Sequence, residues 1–277
     1  MKHQIKKVIA AHDLSGLGRC SLSAVMPILS VMGIQAVALP TAILSTQTDG
    51  YENFTFHDMT DGIEDYFNHL ISHTDAFDAF YSGFLGSAEQ IDKICHMTER
   101  VKDKMTVLVD PVMGDGGEYY STYNEEMSEG MRRLIKNAHI IVPNITEASF
   151  LLSEEPKEKY SDEDVKSYVK RLSHMTGGSV VITGIKGKGS VSSAFSSDGG
   201  ITVGFQENHS LDCHYPGTGD IFASVMLGAL LNGKNLSSAV KQSAEFVKEV
   251  MEYSAGFDYP KREGVLLEAK LSKLMNF

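Results

Sequence analysis

The sequence has few cysteines, little positive charge and no long apolar run, and each shortage excludes a class of protein. Its three cysteines, Cys20, Cys95 and Cys213, are widely spaced, which predicts neither a disulfide framework nor a structural zinc site. The 25 lysines and arginines are outnumbered by 36 aspartates and glutamates, so a formal net charge of -11 disfavours nucleic acid and anionic membranes as partners. The N-terminal apolar run is too short for a signal peptide and no later run approaches a membrane span, so we expect a cytoplasmic protein.

Linkers and internal repeats are also missing. No Pro/Gly/Ser-rich tract, long charge run or repeated unit divides the 277 residues, of which 42% are hydrophobic. That amount of apolar material is enough for the core of one large α/β domain. We therefore expect a single domain over residues 1–277.

Short apolar runs alternate with longer stretches of helical period. The predicted strands are Lys7–Ala11, Ile34–Leu39, Ala79–Ser82, Thr106–Val109, His139–Val142, Ser179–Thr183, Ser190–Ser196 and Ile201–Phe205. The main predicted helices are Ser21–Met32, Met59–Ile71, Ala88–Lys102, Asn124–Asn137, Val165–Met175, Thr218–Leu231, Leu236–Ser254 and Gly264–Leu274. The alternating aromatic and polar residues of Tyr51–His57 predict an extra strand pair away from the main sheet. This pattern predicts an α/β fold of three layers, a mainly parallel central sheet flanked by helices, with ligands beyond the carboxyl ends of the strands.

The segment Gly217-Thr218-Gly219-Asp220 comes immediately before an apolar helical run. Two glycines around a small hydroxyl residue allow several backbone N–H groups to converge at a helix start, where the helix dipole also favours an anion. A carboxylate beside such a nest repels a phosphate unless it has a chemical task, such as taking a proton from an attacking hydroxyl. Taken alone, the same four residues are equally consistent with a turn and a helix cap.

Polar residues follow three other predicted strands, at Asp110, Asn144, Glu147 and Lys186. The carboxyl ends of parallel strands meet at one edge of a sheet, so we expect these residues to lie close together. Asp110, Asn144 and Glu147 offer the oxygen ligands that Mg²⁺ prefers, and Lys186 or Lys188 is suited to neutralising phosphate charge. Each residue alone also fits a turn or cap, but the set together with Gly217–Asp220 favours a site.

The loops after the first three strands offer hydroxyls, an amide and an imidazole beside aromatics, which suits a small polar ring. His12 follows the first strand, where a buried structural histidine is an equally good interpretation. The segment Gly184–Ser190 lacks the Walker pattern, and Gly16-x-Gly18 is an incomplete dinucleotide motif because Ser21 stands where the third glycine belongs. NAD binding is therefore not expected.

Together these motifs resemble the ribokinase-like small-molecule kinases, and within them the pyridoxal (pyridoxine, pyridoxamine) kinases. The resemblance spans nearly the whole chain. It rests on Asp110–Gly114, Pro143–Glu147 and Gly217–Asp220, which are typical of the superfamily, and on Ser82–Gln90, which is more particular to the vitamin kinases.

The resemblance implies ATP-dependent phosphorylation of a hydroxymethyl group. Asp220 is then the base that activates the substrate oxygen, while the N–H groups of Gly217, Thr218 and Gly219 hold the transferring phosphoryl group. A monovalent cation such as K⁺ is a further candidate cofactor beside ATP and Mg²⁺, and a homodimer is implied.

The family pattern also assigns the binding residues. It places Mg²⁺ and the nucleotide phosphates near Asp110 and Glu147, with Asn144 supporting them. It places the vitamin ring near Ala11, His12, Thr46, Gln47, Thr48 and Phe84. It places the adenine end near Thr183, Phe205, Gln206, Glu207 and Asn208 and the final helices.

Two departures leave the choice of vitamer open, because Ala11 stands where these kinases often carry serine and Phe84 where they usually carry tyrosine. The segments His12–Gly16 and Thr41–Thr48 also resemble hydroxymethylpyrimidine (phosphate) kinase of the thiamin pathway. Those relatives usually have cysteine at the position of Asp220, so the aspartate favours a vitamin B6 substrate. A non-enzymatic relative that binds a vitamer or a nucleotide is the third hypothesis.

Overall fold

The computed structural model describes residues 5–74, 76–209, 211 and 213–275, and a nine-stranded sheet forms its centre. The strands are β1 (Lys6–Leu17), β2 (Ile34–Thr46), β3 (Phe56–Asp58), β4 (Ala79–Ser82), β5 (Thr106–Val109), β6 (Gly114–Asp115), β7 (Glu118–Tyr119), β8 (Ile140–Ile141), β9 (Ser179–Lys186), β10 (Ser190–Ser196) and β11 (Gly204–His209). Their order across the sheet is β11-β10-β9-β8-β5-β4-β1-β2-β3, while β6 and β7 pair separately. Neighbours from β9 to β2 are parallel, and β3, β10 and β11 join antiparallel. The mainly parallel α/β sheet is confirmed.

Helices cover both faces of the sheet. They are α1 (Ser21–Val31), α2 (Ile63–His73), α3 (Ala88–Val101), α4 (Glu125–Leu134), α5 (Ile145–Leu151), α6 (Asp162–Thr176), α7 (Thr218–Leu231) and α8 (Leu236–Ala255). Several begin at side-chain caps, because the first N–H groups of a helix have no partner inside it. Ser87 accepts from Gln90 N at the start of α3, and Asn235 accepts from Ser238 N at the start of α8.

The core consists of two apolar clusters, one on each face of the sheet. One cluster contains Phe67, Ile91 and Met131 from α2, α3 and α4, and the other contains Leu22 and Met226 from α1 and α7. Alternate residues of the central strands point into one cluster or the other, which is why the segments Val8–Ala11, Val107–Val109 and Val180–Ile182 are continuously apolar. Among the described residues, no helix has the length and apolar character needed to cross a membrane.

Two strands extend further than the sequence pattern indicated. β1 continues past Ala11 to Leu17, and β2 continues past Leu39 to Thr46, so segments that read as loops are paired strands. The pairing slips between His12 and Leu14, as at a β-bulge, and bulges next to active sites re-aim side chains. Polar residues interrupt the apolar pattern in both extensions, so the pattern predicted shorter strands.

Two further predictions were wrong. The extra strand pair predicted at Tyr51–His57 is instead one short strand, β3, added to the edge of the main sheet beside β2. The helix predicted at Gly264–Leu274 is replaced by short 3₁₀ turns. Gly264 has a φ of 78°, and Val265, Leu267 and Leu274 are buried in the cluster beside α1 and α7. Burial at this uneven spacing does not fit one face of a regular helix.

Candidate active site

The loops that follow the central strands lie side by side at the carboxyl edge of the sheet. Beyond the strand ends, Gly83 N donates to Ala11 O at 3.0 Å and Asp110 N donates to Ser82 O at 2.8 Å. Thr183 N donates in the same way to Pro143 O at 2.9 Å. The predicted meeting of these loops at one edge is therefore found, and it positions the side chains described next.

The start of α7 forms a backbone nest at this edge. Gly217 is the N-cap residue with a φ of 81°, and as a glycine it has no side chain to cap the helix. A Cβ built on Gly217 would lie 2.1 Å from Arg19 O, so only glycine fits there. A Cβ built on Gly219 would meet no atom within 4 Å, so the first turn faces open space. Because the first N–H groups of a helix have no partner inside it, they and the helix dipole suit this space for an anion.

Asp220 lies in the first turn of α7 and points to His12 in β1. Its Oδ2 accepts a hydrogen bond from Ser21 N at 2.8 Å, and its Oδ1 lies 3.8 Å from His12 Nδ1. Burial raises the pKa of Asp220 to about 7, the Ser21 N–H lowers it and the negative charge of Asp13 raises it. A carboxyl group with this pKa is suited to accept a proton near neutral pH.

His12 is fully buried on β1, with its ring edge-on to Tyr81 at a centroid distance of 4.3 Å. Burial lowers the pKa of His12 to about 3, so the imidazole is neutral and its contact with Asp220 is not an ion pair. Neither ring nitrogen has a hydrogen-bond partner within the described part of the chain. The histidine is therefore buried but not satisfied, and its nitrogens retain hydrogen-bonding capacity.

Glu147 and Asn144 form a capping box at the start of α5. Glu147 Oε2 accepts from Asn144 N at 2.8 Å, and Asn144 Oδ1 accepts from Glu147 N at 2.9 Å. Glu147 Oε1 also accepts from Met113 N at 3.0 Å, which ties α5 to the loop after β5. Asn144 Nδ2 donates to Gly114 O at 2.8 Å in the same loop.

Asp110 lies within electrostatic range of both Glu147 and Asp220. Burial raises its pKa well above the usual range, and the charges of Glu147 and Asp220 add to this effect. Burial likewise raises the pKa of Glu147. Burial thus disfavours the ionised form of all three carboxyl groups at this edge. A bound cation would stabilise their ionised forms.

These residues fit a Mg²⁺ site of the kind completed by substrate phosphates. In the described ranges, no group of three or more His, Cys, Asp or Glu side chains is arranged to hold a metal ion. Both oxygens of Glu147 already accept backbone N–H groups, whereas the Asp110 carboxylate has no hydrogen-bond partner among the described residues. One or two carboxylates are what Mg²⁺ requires when phosphates supply other ligands.

The residues predicted to surround the ring differ in their exposure and in their hydrogen bonding. Ala11 is fully buried in the core, and Phe84 is half-buried. The hydroxyl of Thr46 is buried without a hydrogen-bond partner in the described segments, while Thr48 is exposed. Thr46 and His12 thus provide polar groups to which no described residue hydrogen-bonds.

The side chain of Gln47 is already hydrogen-bonded to other residues of the protein. Its Nε2 donates to Arg262 O at 2.7 Å and to Asp49 O, and its Oε1 accepts from Asp49 N at 2.8 Å. The side chain therefore fastens the loop after β2 to the C-terminal segment. Its predicted contact with the ring remains a prediction.

The residues predicted near adenine lie in β9 and β11, between the centre of the sheet and its β11 edge, away from β1. Thr183 forms an isolated bridge with Asn144, and Lys186 is exposed at the end of β9. The residues Phe205, Gln206, Glu207 and Asn208 belong to the edge strand β11, separated from β9 by β10. Asn208 Nδ2 donates to Ala244 O of α8 at 2.8 Å.

Three residues beside Asp220 were not singled out from the sequence. Asp13 is buried and accepts from Ser15 Oγ at 2.9 Å, and the charges of Asp110 and Asp220 act on the buried hydroxyl of Tyr81. The signal for Asp13 is a polar residue close behind the apolar run of β1, and Tyr81 has no signal beyond its place in the apolar strand β4. Ser21 had no such signal, because its role comes from backbone conformation.

Comparison with known proteins identifies the family. The family model for phosphomethylpyrimidine kinase matches residues 22–264. A pyridoxal kinase PdxY from Histophilus somni is 29% identical over 254 residues, which cover 83% of this chain and 82% of the relative.

Two solved structures are similar to the whole fold. A proposed phosphomethylpyrimidine kinase from Bacteroides thetaiotaomicron, in an orthorhombic form with pyridoxal, is 38% identical with a TM-score of 0.92 and covers 98% of this chain and 96% of its own. Pyridoxal kinase from Lactobacillus plantarum is 29% identical with a TM-score of 0.90, covering 98% and 97%. The chain therefore belongs to the phosphomethylpyrimidine kinase family and is a kinase of the vitamin B6 and thiamin type.

Proposed function

We propose that this kinase transfers a phosphoryl group from ATP to the 5'-hydroxymethyl group of pyridoxal, pyridoxine or pyridoxamine. The observation that carries the proposal is the position of Asp220, a half-buried carboxyl group in the first turn of α7 whose pKa is raised to about 7. A base at a helix start that faces open space combines proton removal with anion binding, and a simple binding site needs no base.

Asp220 accepts the proton of the substrate hydroxyl as its oxygen attacks. The N–H groups of Gly217, Thr218 and Gly219 stabilise the charge on the phosphoryl group, because the helix start is fixed before the reaction begins. Asp110, with Glu147, is the proposed protein ligand set for Mg²⁺, which neutralises phosphate charge when it is bound.

The ring of the vitamer lies, in this proposal, between the end of β1 and the loops after β2 and β4. His12 and Thr46 offer buried polar groups that lack partners in the described part of the chain. A neutral imidazole both donates and accepts a hydrogen bond, so it can match a polar ring without introducing charge. The Bacteroides structure with pyridoxal supports a ligand of this chemistry.

A hydroxymethylpyrimidine kinase is the second candidate, favoured by the family model that matches most of the chain. Both substrates are small nitrogen heterocycles with a hydroxymethyl group, so the same base and nest serve either. Turnover of pyridoxal, pyridoxine, pyridoxamine, hydroxymethylpyrimidine and ribose with Mg-ATP distinguishes the candidates. No phosphorylated product from any of them would leave a non-enzymatic binding protein.

Replacing the base tests the chemistry directly. We expect Asp220→Asn to lower kcat by about two to four orders of magnitude, because general base catalysis contributes about that much, while nucleotide affinity is largely kept. The asparagine carbonyl can still accept from Ser21 N, so the local structure is preserved. Steady-state kinetics and nucleotide titration measure the two effects.

The control is Asp103→Asn, an exposed carboxylate between α3 and β5 at the opposite edge of the sheet, which should leave kcat unchanged. The wild-type kcat/KM should rise with pH through about 7, since Asp220 is inactive when protonated. Near-normal turnover by Asp220→Asn would refute its role as the base.

A further inference from the structure

The backbone of Ser21 adopts a conformation that serine seldom occupies. Its φ is 47°, and among the described residues only Asn53 and Ser153 share a positive φ without being glycine. The left-handed region is unfavourable for residues with a Cβ, so surrounding contacts must hold it. Of the three, Ser21 is the residue whose backbone N–H donates to Asp220.

This unusual conformation lies at the start of α1 and presents its N–H to Asp220. Cys20 is the N-cap residue of α1 and makes no side-chain hydrogen bond to the helix. The Oδ2 of Asp220 takes that place by accepting from Ser21 N at 2.8 Å. A carboxylate in the first turn of α7 therefore caps the start of α1, where the helix dipole stabilises its negative charge.

The segment before Ser21 is held between α7 and the C-terminal region. A Cβ on Gly217 would lie 2.1 Å from Arg19 O and 3.0 Å from Cys20 Cα, so the two backbones touch. On the other side, Arg19 N donates to Glu263 O at 3.1 Å and Arg19 Nε donates to Glu268 at 2.8 Å. These contacts fix the peptide that precedes Ser21.

We propose that Ser21 is a positioning residue whose left-handed backbone directs its N–H to Asp220 and so fixes that carboxylate for proton transfer. The proposal rests on the proposed function, because it assigns a task to Ser21 only if Asp220 acts as the base. The group of Ser21 that contacts Asp220 is its backbone N–H, whereas its hydroxyl lowers the pKa of a different carboxyl group, Asp13. The other oxygen of Asp220, Oδ1, lies 3.8 Å from His12 Nδ1 and accepts no hydrogen bond from the described residues.

Two substitutions separate the effect of the Ser21 backbone conformation from the effect of its hydroxyl. Ser21→Gly removes the hydroxyl and accepts a positive φ readily, whereas Ser21→Thr keeps a hydroxyl but its branched Cβ resists that φ. We expect Ser21→Thr to lower kcat roughly tenfold with KM for the vitamer within about twofold, and Ser21→Gly to keep kcat within about twofold. Steady-state kinetics with pyridoxal and Mg-ATP, with melting curves to show folding, give the comparison.

The opposite order, with Ser21→Gly impaired and Ser21→Thr normal, would assign the effect to the hydroxyl and overturn the proposal, as would equal kcat values for both. If Ser21→Thr does not fold, Ser21→Ala replaces it, because alanine also lacks the hydroxyl but resists positive φ. A kcat for Ser21→Ala below that of Ser21→Gly supports the proposal, and equal values overturn it.

Asp220→Asn is measured alongside the Ser21 variants. If Asp220→Asn retains turnover, the proposed function fails. If Asp220→Asn is inactive and the Ser21 variants do not differ, only this inference fails.

Discussion

His12 and Asp220 lie 3.8 Å apart, yet burial moves their pKa values in opposite directions. It lowers the pKa of His12 to about 3 and raises that of Asp220 to about 7, because removal from water disfavours the charged form of either group. Between about pH 3 and pH 7 the pair is therefore a neutral imidazole beside a neutral acid, and the carboxylate forms near pH 7. Opposite charges do not coexist in this pair, which leaves Asp220 able to exchange a proton with a substrate.

Gln90 is a second residue whose environment defines its role. Its side chain is fully buried, with Oε1 accepting from Gly86 N at 2.8 Å. Nε2 donates to Thr41 O at 2.8 Å and to Thr60 Oγ1 at 3.0 Å. Gln90 thus joins the loop after β4 to β2, the two elements between which the proposed ring pocket lies.

We expect Gln90→Ala to lower the free energy of unfolding by about 2 to 4 kcal/mol, because it leaves several buried polar groups without partners. Urea denaturation measures the change. Glu89→Ala is the matched control on the same helix, since the exposed Glu89 side chain makes an ion pair with Lys93, and its effect should stay below about 1 kcal/mol. Equal losses from the two substitutions would show that the hydrogen bonds of Gln90 contribute little.

At the scale of elements, the start of α7 depends on two glycines for different reasons. Gly217 needs a positive φ and the absence of a Cβ, because the Arg19 carbonyl occupies that space. Gly219 has neither constraint, since its missing Cβ would face open space at the proposed phosphate position. The first glycine shapes the protein, and the second leaves room for the ligand.

Alanine at each position should separate these two roles. Gly217→Ala should lower both stability and turnover, because the methyl group would force apart α7 and the segment before α1. Gly219→Ala should leave stability unchanged or raise it by about 0.4 to 1 kcal/mol, as expected for Gly→Ala in a helix, while turnover falls at least tenfold. Thermal melts and kcat give the two readouts. Full turnover by Gly219→Ala would place the phosphate elsewhere.

At the scale of the whole molecule, the site concentrates negative charge in a chain whose formal net charge is already -11. Asp220, Asp110 and Glu147 all have raised pKa values, so the folded protein holds protons more tightly than the unfolded chain does. A raised carboxyl pKa contributes stability below the unfolded pKa near 4, and this contribution is lost as pH rises through the folded pKa. The proposed site therefore reduces stability at the pH where it is active.

Asp220→Asn should consequently be more stable than the wild type at pH 8, by roughly 1 to 4 kcal/mol, because each tenfold change in proton affinity corresponds to about 1.4 kcal/mol. The advantage should decline as the pH falls from about 7 to about 4, since the native Asp220 then holds its proton. Denaturant unfolding of both proteins across this range measures the difference. A difference that stays constant with pH would contradict the raised pKa.

The sequence by itself determined the layered α/β fold and the family. The apolar runs of the central strands and the residues of Asp110–Gly114, Pro143–Glu147 and Gly217–Asp220 are local features, so they can be read without knowing what packs against them. The order of strand ends also predicted that Asp110, Asn144 and Glu147 lie near one another, as they do.

Only the tertiary structure decided how the site is held. The φ of 47° at Ser21, the extension of β1 past Ala11 and the irregular turns after Gly264 depend on contacts between segments far apart in the chain. Local sequence preference would have given Ser21 an ordinary backbone and the last segment a helix. Packing against α7 and burial of Val265, Leu267 and Leu274 outweigh those preferences, because tertiary contacts contribute more free energy than local propensity does.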